Sequence, residues 1–283
     1  MLKIKEKSIF INSSLVWIFA GLLSYFIGTH HELSQIFYPL INVGLIIIFL
    51  HFLCPKYFEY ILFFSISITG LFGLTQNLTG SHAESNNFFL YGLSFYTASI
   101  AYLLANDSLR ISKILNITNP LLLITGPIAL YVKSLQHKKT LERYKYFVPF
   151  IIIGLFMFQI VASPLTNFFF LLEHTDIVSS ILFAFIFEIF VYMNFCGLSL
   201  AIYGFFGLFG YRIPLNFRQP FSSNNIVEFW RGWHVSLSEV LKILFYNPIR
   251  KKNSLMREIF VGFFASAMWH GITFNFFIWG VFH

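Results

Sequence analysis

Charged residues are scarce in this sequence of 283 residues. Asp, Glu, Lys and Arg make up 11% of the chain, whereas an ordinary soluble domain carries about 25%. Hydrophobic residues reach 57%, Phe alone contributes 39 residues, and the mean hydropathy is +0.72. A water-soluble fold of this size could not cover so much apolar surface. The scarcity of charge therefore excludes a soluble enzyme or binding domain and predicts that the bilayer is the solvent.

Cysteine is scarce as well, since the chain contains only Cys54 and Cys196. Both lie in or at the edge of apolar runs without a CxxC spacing, which argues against a disulfide framework and against a metal site. The formal net charge is +7, but the Lys and Arg residues stand in short clusters between apolar runs. Such clusters fit membrane topology rather than a water-facing basic patch, so we expect no nucleic-acid partner.

Apolar runs dominate what is present. A spanning helix needs roughly 20 mostly apolar residues, and such runs occur at about 9–28, 36–54, 57–74, 88–105, 147–172, 177–209 and 258–282. The first run follows a basic start and has no obvious cleavage site, so we predict a retained signal anchor. Basic clusters alternate with basic-poor connections, which places the N-terminus in the cytoplasm. We therefore predict an all-α, polytopic transmembrane helix bundle.

Three stretches depart from a simple series of spans. Residues 119–133 are apolar but short, contain two prolines and lie between basic loops, so we predict a re-entrant segment. Residues 177–209 exceed one span and carry Glu188 and Asn194, which predicts a tilted or broken helix. Residues 211–252 are more polar and basic, and the charge rule predicts that they are cytoplasmic.

Two histidines stand out. His270 lies twelve residues into the last apolar run, about 18 Å along a helix and close to the bilayer midplane. An ionisable residue at that depth is a functional candidate, and Gly271 leaves room beside it. A histidine satisfied by an interhelical hydrogen bond remains an equal alternative. His234 lies between tryptophans and arginine, which are also ordinary anchors at a membrane edge.

Glu188 and Asn194 allow two interpretations. Either residue could line a polar path through the bundle, or it could pair with a neighbouring hydroxyl such as that of Tyr192 or Ser199. The sequence leaves both open.

A series of motifs over roughly residues 90–283 resembles the membrane-bound O-acyltransferase family, and in particular its bacterial branch of alginate O-acetylation and teichoic-acid D-alanylation membrane proteins. The matching pieces, in the family's order, are Gly92–Thr97 (GLSFYT), Gly126–Ile128 (GPI), Tyr192–Gly197 (YMNFCG), Asn216–Phe221 (NFRQPF), Phe229–Ser238 (FWRGWHVSLS) and Trp269–Gly271 with Trp279, Gly280 and His283 (WHG, then WGxxH). Each piece alone is weak, whereas six in order are specific.

The resemblance implies roles for individual residues. His270 matches the family's catalytic histidine and His234 its second, more cytoplasmic one. It also implies that six residues contact substrate, namely Asn194, Trp230, Arg231, Trp233, Ser236 and Trp269. This sequence departs from the family's FSGYSD stretch at Cys196, Leu198 and Leu200, and Lys242-Ile243-Leu244 stand where the family has RDY. These changes concern substrate identity more than reaction type.

The resemblance also predicts the overall organisation and the activity. We expect residues 1–283 to form a single transmembrane acyltransferase domain in a bacterial cytoplasmic membrane, lacking the helices that family members usually have beyond WGxxH. It would move an acyl group, most simply acetyl, from a cytoplasmic thioester to a hydroxyl of a cell-envelope polymer or an extracytoplasmic partner protein. The donor would be acyl-CoA or an acyl carrier protein, with no bound cofactor.

Chemistry supports these roles for the two histidines. Ester formation requires the attacking hydroxyl to lose a proton, and a neutral imidazole with a pKa near 6.5 suits a general base, here His270. His234 would position the thioester or stabilise the developing oxygen charge. The basic residues Arg250, Lys251, Lys252 and Arg257 could dock an acidic donor, although attraction to anionic membrane lipid explains them equally well.

Two other classes of protein remain open. A transporter or flippase also uses polar intramembrane residues and interrupted helices, but usually shows inverted repeats, which this sequence lacks. A non-catalytic subunit related to the acyltransferases is the second alternative. Acyl-donor labelling separates the classes, because only an enzyme gives transfer that depends on His270.

Overall fold

The computed structural model describes residues 86–106, 127–135, 139–171, 176–250, 255–270 and 274–283, together with the single positions 60, 63, 64, 67, 68, 71, 114, 117 and 122. The predicted signal anchor, the spans at 9–28 and 36–54, most of 57–74 and the cytoplasmic N-terminus lie outside the described residues.

The described part is almost entirely helical. In chain order its elements are α1 (Asn86–Ala105), β1 (Lys133–Ser134), α2 (Thr140–Leu155), a π-helical segment (Phe156–Ala162), α3 (Ser163–Leu171), α4 (Ile177–Leu208), β2 (Tyr211–Arg212), a 3-10 turn (Pro220–Ser222), α5 (Ile226–Gly232), α6 (Val235–Leu241), a second π-helical segment (Lys242–Tyr246), α7 (Asn247–Ile249), α8 (Leu255–His270) and α9 (Phe274–Phe282).

Among the described residues, two helices are long and apolar enough to cross a membrane, over Thr140–Thr166 and Ile177–Leu208. Only 17% and 11% of their most apolar windows are buried inside the protein, and large apolar side chains such as Ile160 and Phe185 are exposed. A soluble core helix would bury these faces, so their exposure fits contact with lipid. The helices predicted at 147–172 and 177–209 are confirmed.

The second of these helices, α4, runs without interruption for 32 residues. At 1.5 Å per residue it is about 48 Å long, which exceeds the roughly 30 Å of bilayer hydrocarbon. The sequence predicted a tilted or a broken helix. Because α4 is not broken, it must tilt or project beyond the bilayer.

Glycines allow α2 and α4 to pack with their backbones in contact. A Cβ atom added to Gly154 would lie 2.5 Å from the carbonyl oxygen of Gly197 and 2.5 Å from the amide nitrogen of Ala201. Small residues that bring helix backbones together are typical of membrane bundles. The Gly197 position of the YMNFCG motif is thus explained by packing.

The polar segment after α4 turns back along that helix. Tyr211 and Arg212 pair antiparallel with Lys133 and Ser134. The ring of Tyr192 then contacts Phe217 at 5.8 Å and Trp233 at 6.0 Å between centroids. Tyr192 lies sixteen residues before Leu208, about 24 Å along the helix.

The charge rule predicted that 211–252 is cytoplasmic, and this stays a prediction. The structure adds that part of the segment packs beside the middle of α4. Its aromatic side chains bury against α4, while the basic residues Arg218 and Arg231 stay exposed.

The prediction for the last apolar run is corrected by the structure. A single span over 258–282 was predicted, but the structure has two helices, α8 and α9, that pack against each other. Rings of α9 lie on rings of α8, with Phe277 5.9 Å from Phe264. A Cβ added to Gly280 would lie 2.7 Å from the Cβ of Ala267, so the glycine permits this close approach.

The buried core joins these parts around α6. Leu237 and Val240 of α6 are 3% and 0% exposed and share a cluster with Phe95 of α1 and Tyr203 of α4. Ile128 and Ala129, from the segment predicted to be re-entrant, belong to the same cluster and lie in neither helix nor strand. No membrane is present, so re-entry at this segment stays a prediction.

Candidate active site

Three of the sequence motifs meet at one buried hydroxyl. The Ser236 hydroxyl donates to Oδ1 of Asn216 at 2.8 Å and accepts a hydrogen bond from the Ile128 backbone N–H at 3.0 Å. The Ser236 backbone N–H also donates to Oδ1 of Asn216, at 3.2 Å. All three residues are at most 5% exposed. The NF, WHxSLS and GPI motifs are thus tied together by a satisfied polar network.

This network holds His234 in an uncommon backbone conformation. His234 has φ 44 and ψ 52, in the left-handed region that residues other than glycine rarely adopt, and it caps the N-terminus of α6. The Val235 N–H donates to the Asn216 carbonyl at 2.8 Å, and the Ser238 N–H donates to the His234 carbonyl at 3.1 Å. Strain of this kind persists where surrounding contacts over-determine it, often at functional sites.

His270 lies close enough to His234 to interact with it electrostatically. Burial, and then the neighbouring His270, lower the pKa of His234 to about 4. The Nδ1 atom of His234 is buried, and within the described residues it has no hydrogen-bond partner. His234 is therefore neutral at physiological pH, and one of its ring nitrogens is left without a partner among the described residues.

His270 is the last residue of α8, and rings of α9 hold it. Its imidazole lies 5.7 Å from the ring of Phe276, nearly parallel, and 6.4 Å from Trp279, nearly perpendicular. The residue is exposed to the side away from these rings. The sequence predicted that His270 lies midway along one long helix. In the structure it lies at the end of α8, which packs against α9.

Aromatic rings connect the two histidines to the rest of the site. Trp233 stacks on Phe229 at 5.5 Å and contacts Phe217 at 5.2 Å, and Phe217 lies 6.1 Å from His234. Trp230 contacts Trp279 at 5.8 Å, and Trp279 also touches His270. This assembly gives the site an apolar wall on one side of the histidines.

His283 belongs to the same assembly. Its ring stacks on Trp279 at 4.5 Å and lies 5.2 Å from Trp230. Its Nδ1 is 3.0 Å from the Trp279 carbonyl oxygen, and only the Nδ1–H tautomer can donate to that oxygen. Within the WGxxH motif, His283 therefore contacts both the ring and the carbonyl oxygen of Trp279 and holds this residue in place.

The structure brings some of the predicted site residues together. Trp230 and Trp233 line the aromatic wall, while Arg231 is exposed and Asn194 is partly buried on α4 near Tyr192. Trp269 packs against the main core. Ser236 already donates and accepts within the protein, which favours a structural role, and the substrate-binding roles of all six residues stay predictions. Glu188 is exposed on α4.

Sequence reasoning missed the rings that surround the histidines. Phe221 lies 4.8 Å from Tyr192, and Phe263 lies 5.3 Å from Trp230. The density of aromatic residues between Asn216 and Trp233 was a usable signal, whereas Phe263 could be assigned only once α8 was seen to pack near α5. Within the described residues, no group of three or more His, Cys, Asp or Glu side chains could hold a metal ion.

Comparison with known proteins agrees with this arrangement of motifs. Residues 55–283 match the family described as MBOAT, membrane-bound O-acyltransferase family. The match covers well over half of the chain, and the chain belongs to this family.

Individual relatives are bacterial. The chain is 34% identical to the peptidoglycan O-acetyltransferase of Helicobacter pylori over 98 residues, covering 33% of this chain and 18% of that protein. It is 36% identical to the probable alginate O-acetylase of Pseudomonas putida over 97 residues, 33% of this chain and 20% of the relative. It is 28% identical to the teichoic acid D-alanyltransferase of Bacillus subtilis over 182 residues, which cover 56% of this chain and 46% of that protein. The matched regions thus span less than half the length of these relatives.

Proposed function

We propose that this protein transfers an acyl group from a cytoplasmic thioester to a hydroxyl of a cell-envelope polymer or of a partner protein, with His270 as general base. The observation that carries the proposal is that His270 packs against Trp279 and His234 against Phe217 on connected aromatic rings, close enough for the two imidazoles to interact electrostatically. The matched relatives are named for acetyl or D-alanyl transfer, which supports the reaction class and leaves the acyl group open.

The reaction needs one base and one electrophile. A nitrogen of His270 would take the proton of the acceptor hydroxyl as its oxygen attacks the thioester carbonyl carbon. The carbon–sulfur bond then breaks, and the departing thiolate recovers the proton from the His270 imidazolium. The products are an ester and a free thiol, and no cofactor is required.

His234 suits a supporting role in this scheme. Its lowered pKa keeps it neutral, so it does not place a second positive charge beside the imidazolium that forms on His270. Its ring could orient the thioester or donate to the developing oxygen anion, depending on which nitrogen carries the proton.

Family membership and the two long apolar helices support a location in a membrane. We place the protein in the bacterial cytoplasmic membrane as a multi-pass protein, with acyl-CoA or an acyl carrier protein as donor on the cytoplasmic side. The acceptor would be an extracytoplasmic polymer or partner protein. The exposed apolar faces of α2 and α4 would contact membrane lipid.

The test is transfer by the purified chain in nanodiscs with radiolabelled acetyl-CoA, and with a D-alanyl carrier protein in parallel. A simple acceptor such as a glycan oligomer would be supplied. His270→Gln should abolish base-labile label on the acceptor, and His234→Gln should lower it at least tenfold. His174→Gln, which changes a histidine outside the motifs, serves as the matched control.

Each outcome discriminates between the classes. Label transfer that survives His270→Gln refutes the assigned base. Movement of an unmodified substrate across the membrane without ester formation would identify a transporter. Absence of both activities in a folded wild-type chain, with either donor, would favour a non-catalytic subunit.

A further inference from the structure

The start of α2, the end of α4 and the small sheet meet at one corner of the molecule, at a distance from the histidines. Lys133 lies directly opposite Arg212 in the sheet, and the Leu135 N–H donates to the Gly210 carbonyl at 2.7 Å beside this pair. Like charges directly opposite in an antiparallel pair repel each other. Neither cation forms an ion pair with any residue that the structure describes. The Lys133 ammonium lies 5.3 Å from the centroid of the Tyr131 ring, so the corner holds two positive charges that no acidic side chain of the described residues neutralises.

A buried hydroxyl faces the same place. Tyr203 is 2% exposed, and its hydroxyl oxygen is buried without a well-formed hydrogen bond to the described residues. The nearest polar groups that interact with it electrostatically are the Tyr146 hydroxyl and the Arg212 guanidinium. Buried hydroxyls almost always have a partner, and both of these neighbours can donate. What is missing is an acceptor that Tyr203 and Arg212 could share.

Arg143 adds another donor on the adjoining surface of α2. Its Nη2 donates to the Thr140 hydroxyl at 3.3 Å, while its Nε is buried and has no partner among the described residues. Arg143 lies one helical turn before Phe147, whose ring contacts Tyr203 at 5.4 Å. A Cβ added to Gly204 would lie 2.9 Å from the Phe147 carbonyl oxygen, so α2 and α4 run close together here and Arg143 lies toward the end of α4.

We infer that this corner, formed by Lys133, Arg143, Tyr203 and Arg212, is a binding site for a phosphate group. Its side chains supply three positive charges and several donors. A phosphate supplies negative charge and several acceptor oxygens, and arginine binds it through paired hydrogen bonds. We call these four residues the phosphate corner.

The corner also has a defined distance from the histidines. Tyr203 lies eleven residues after Tyr192 on α4, about 16 Å along the helix axis, and Tyr192 contacts Trp233 beside His234. A pantetheine arm that carries its phosphate at one end and its thioester at the other is a linear chain suited to such a separation. The choice of this donor phosphate rests on the proposed function, whereas the phosphate corner itself does not.

A phospholipid headgroup carries the same chemistry, and the experiment must separate the two sources. Binding to the purified chain in nanodiscs is measured with coenzyme A, with pantetheine, which lacks phosphate, and with fluorescent phosphatidylglycerol in a phosphatidylcholine background. The variants are Arg212→Gln and Tyr203→Phe. Lys145→Gln removes one exposed cation of α2 outside the corner and is the matched control.

We expect Arg212→Gln to weaken coenzyme A binding about tenfold and Tyr203→Phe about threefold, as expected for a charge-assisted and a neutral hydrogen bond respectively. Neither variant should change the affinity for pantetheine. The control Lys145→Gln should leave coenzyme A binding unchanged. Tyr203→Phe keeps the ring that packs on Phe147 and Phe150, so an unchanged melting temperature shows that binding, rather than folding, was lost.

The remaining outcomes are decisive in either direction. If the variants weaken phosphatidylglycerol binding and leave coenzyme A binding unchanged, the corner binds phosphate as inferred and its ligand is a lipid headgroup. If neither phosphate probe responds to either variant, the inference is overturned. His270→Gln should leave coenzyme A binding intact while it abolishes transfer, so failure of the phosphate corner and failure of the proposed function are distinguishable.

Discussion

Replacing Gly154 with alanine should force α2 and α4 apart. The new Cβ would lie 2.5 Å from the Gly197 carbonyl oxygen and 2.5 Å from the Ala201 amide nitrogen. Carbon and oxygen atoms in close helix contacts stay about 3.3–3.6 Å apart. Both obstructing atoms belong to the backbone, so no side chain can rotate away, and the helices must separate by most of an ångström.

The expected cost follows from two opposed terms. Overpacking a tight interface typically costs about 1–3 kcal/mol, and backbone obstruction from two sides places Gly154→Ala near the upper end. Alanine also gains about 1 kcal/mol over glycine in a helix. The net destabilisation is therefore about 2 kcal/mol.

Gly262 provides the matched control. It also lies inside a helix, α8, but a Cβ added there meets nothing within 4 Å. Gly262→Ala should therefore show only the propensity gain, which is common to both variants. The difference of about 3 kcal/mol between the two isolates the packing term and corresponds to a melting temperature difference of about 6–12 °C.

The assay is thermal unfolding of the purified protein in one detergent, followed by tryptophan fluorescence. Gly154→Ala should melt below the wild type and Gly262→Ala at or above it. Equal melting temperatures for the two variants would show that α2 and α4 do not pack as described. Transfer activity should fall in parallel for Gly154→Ala, because α4 carries Tyr192 and so sets the position of Trp233.

Two further predictions concern the loop that carries His234. Asn216→Ala removes the acceptor of the two hydrogen bonds that Ser236 donates, and it should destabilise the protein by about 2–3 kcal/mol in denaturant titration. The control Asn224→Ala, on an exposed turn, should change stability by less than about 0.5 kcal/mol. A similar loss of stability in the two variants would contradict the hydrogen-bond network around Ser236. The pKa of His234 is about 4 in the folded protein against about 6.5 unfolded, so the unfolded chain binds more protons between these values and stability rises with pH across that window. Acidification from pH 6.5 to 4 should cost at most about 3 kcal/mol, and His234→Gln should flatten this part of the stability profile.

The sequence was sufficient for the membrane class and for the long helices. The runs at 147–172 and 177–209 are apolar throughout and exceed the length that a span requires, so no tertiary contact is needed to predict them. The motif order was likewise enough for the family, because six separate short matches are improbable by chance.

What the sequence could not predict depends on close approach between distant residues. The run at 258–282 is apolar throughout, and its division into α8 and α9 is stabilised by contacts of Gly280 with Ala267 and of Phe277 with Phe264. The return of 217–233 along α4 depends on ring contacts with Tyr192. Charge rules address which side of a membrane a loop occupies and contain no term for such packing.

The two histidines are positioned by separate parts of the fold, and this separation bears on how the site could work. His234 depends on Asn216 and on the loop packed against α4, whereas His270 depends on the contact between α8 and α9. Trp230 joins the two parts, since it contacts Phe263 of α8 and Trp279 of α9 while lying four residues before His234. A shift of α8 and α9 relative to α4 would change the distance between the imidazoles without altering either one's own support. In the proposed reaction the base and the group that orients the thioester would have to meet at one carbonyl carbon, so the rings around Trp230 would be the contacts that keep His270 and His234 in register.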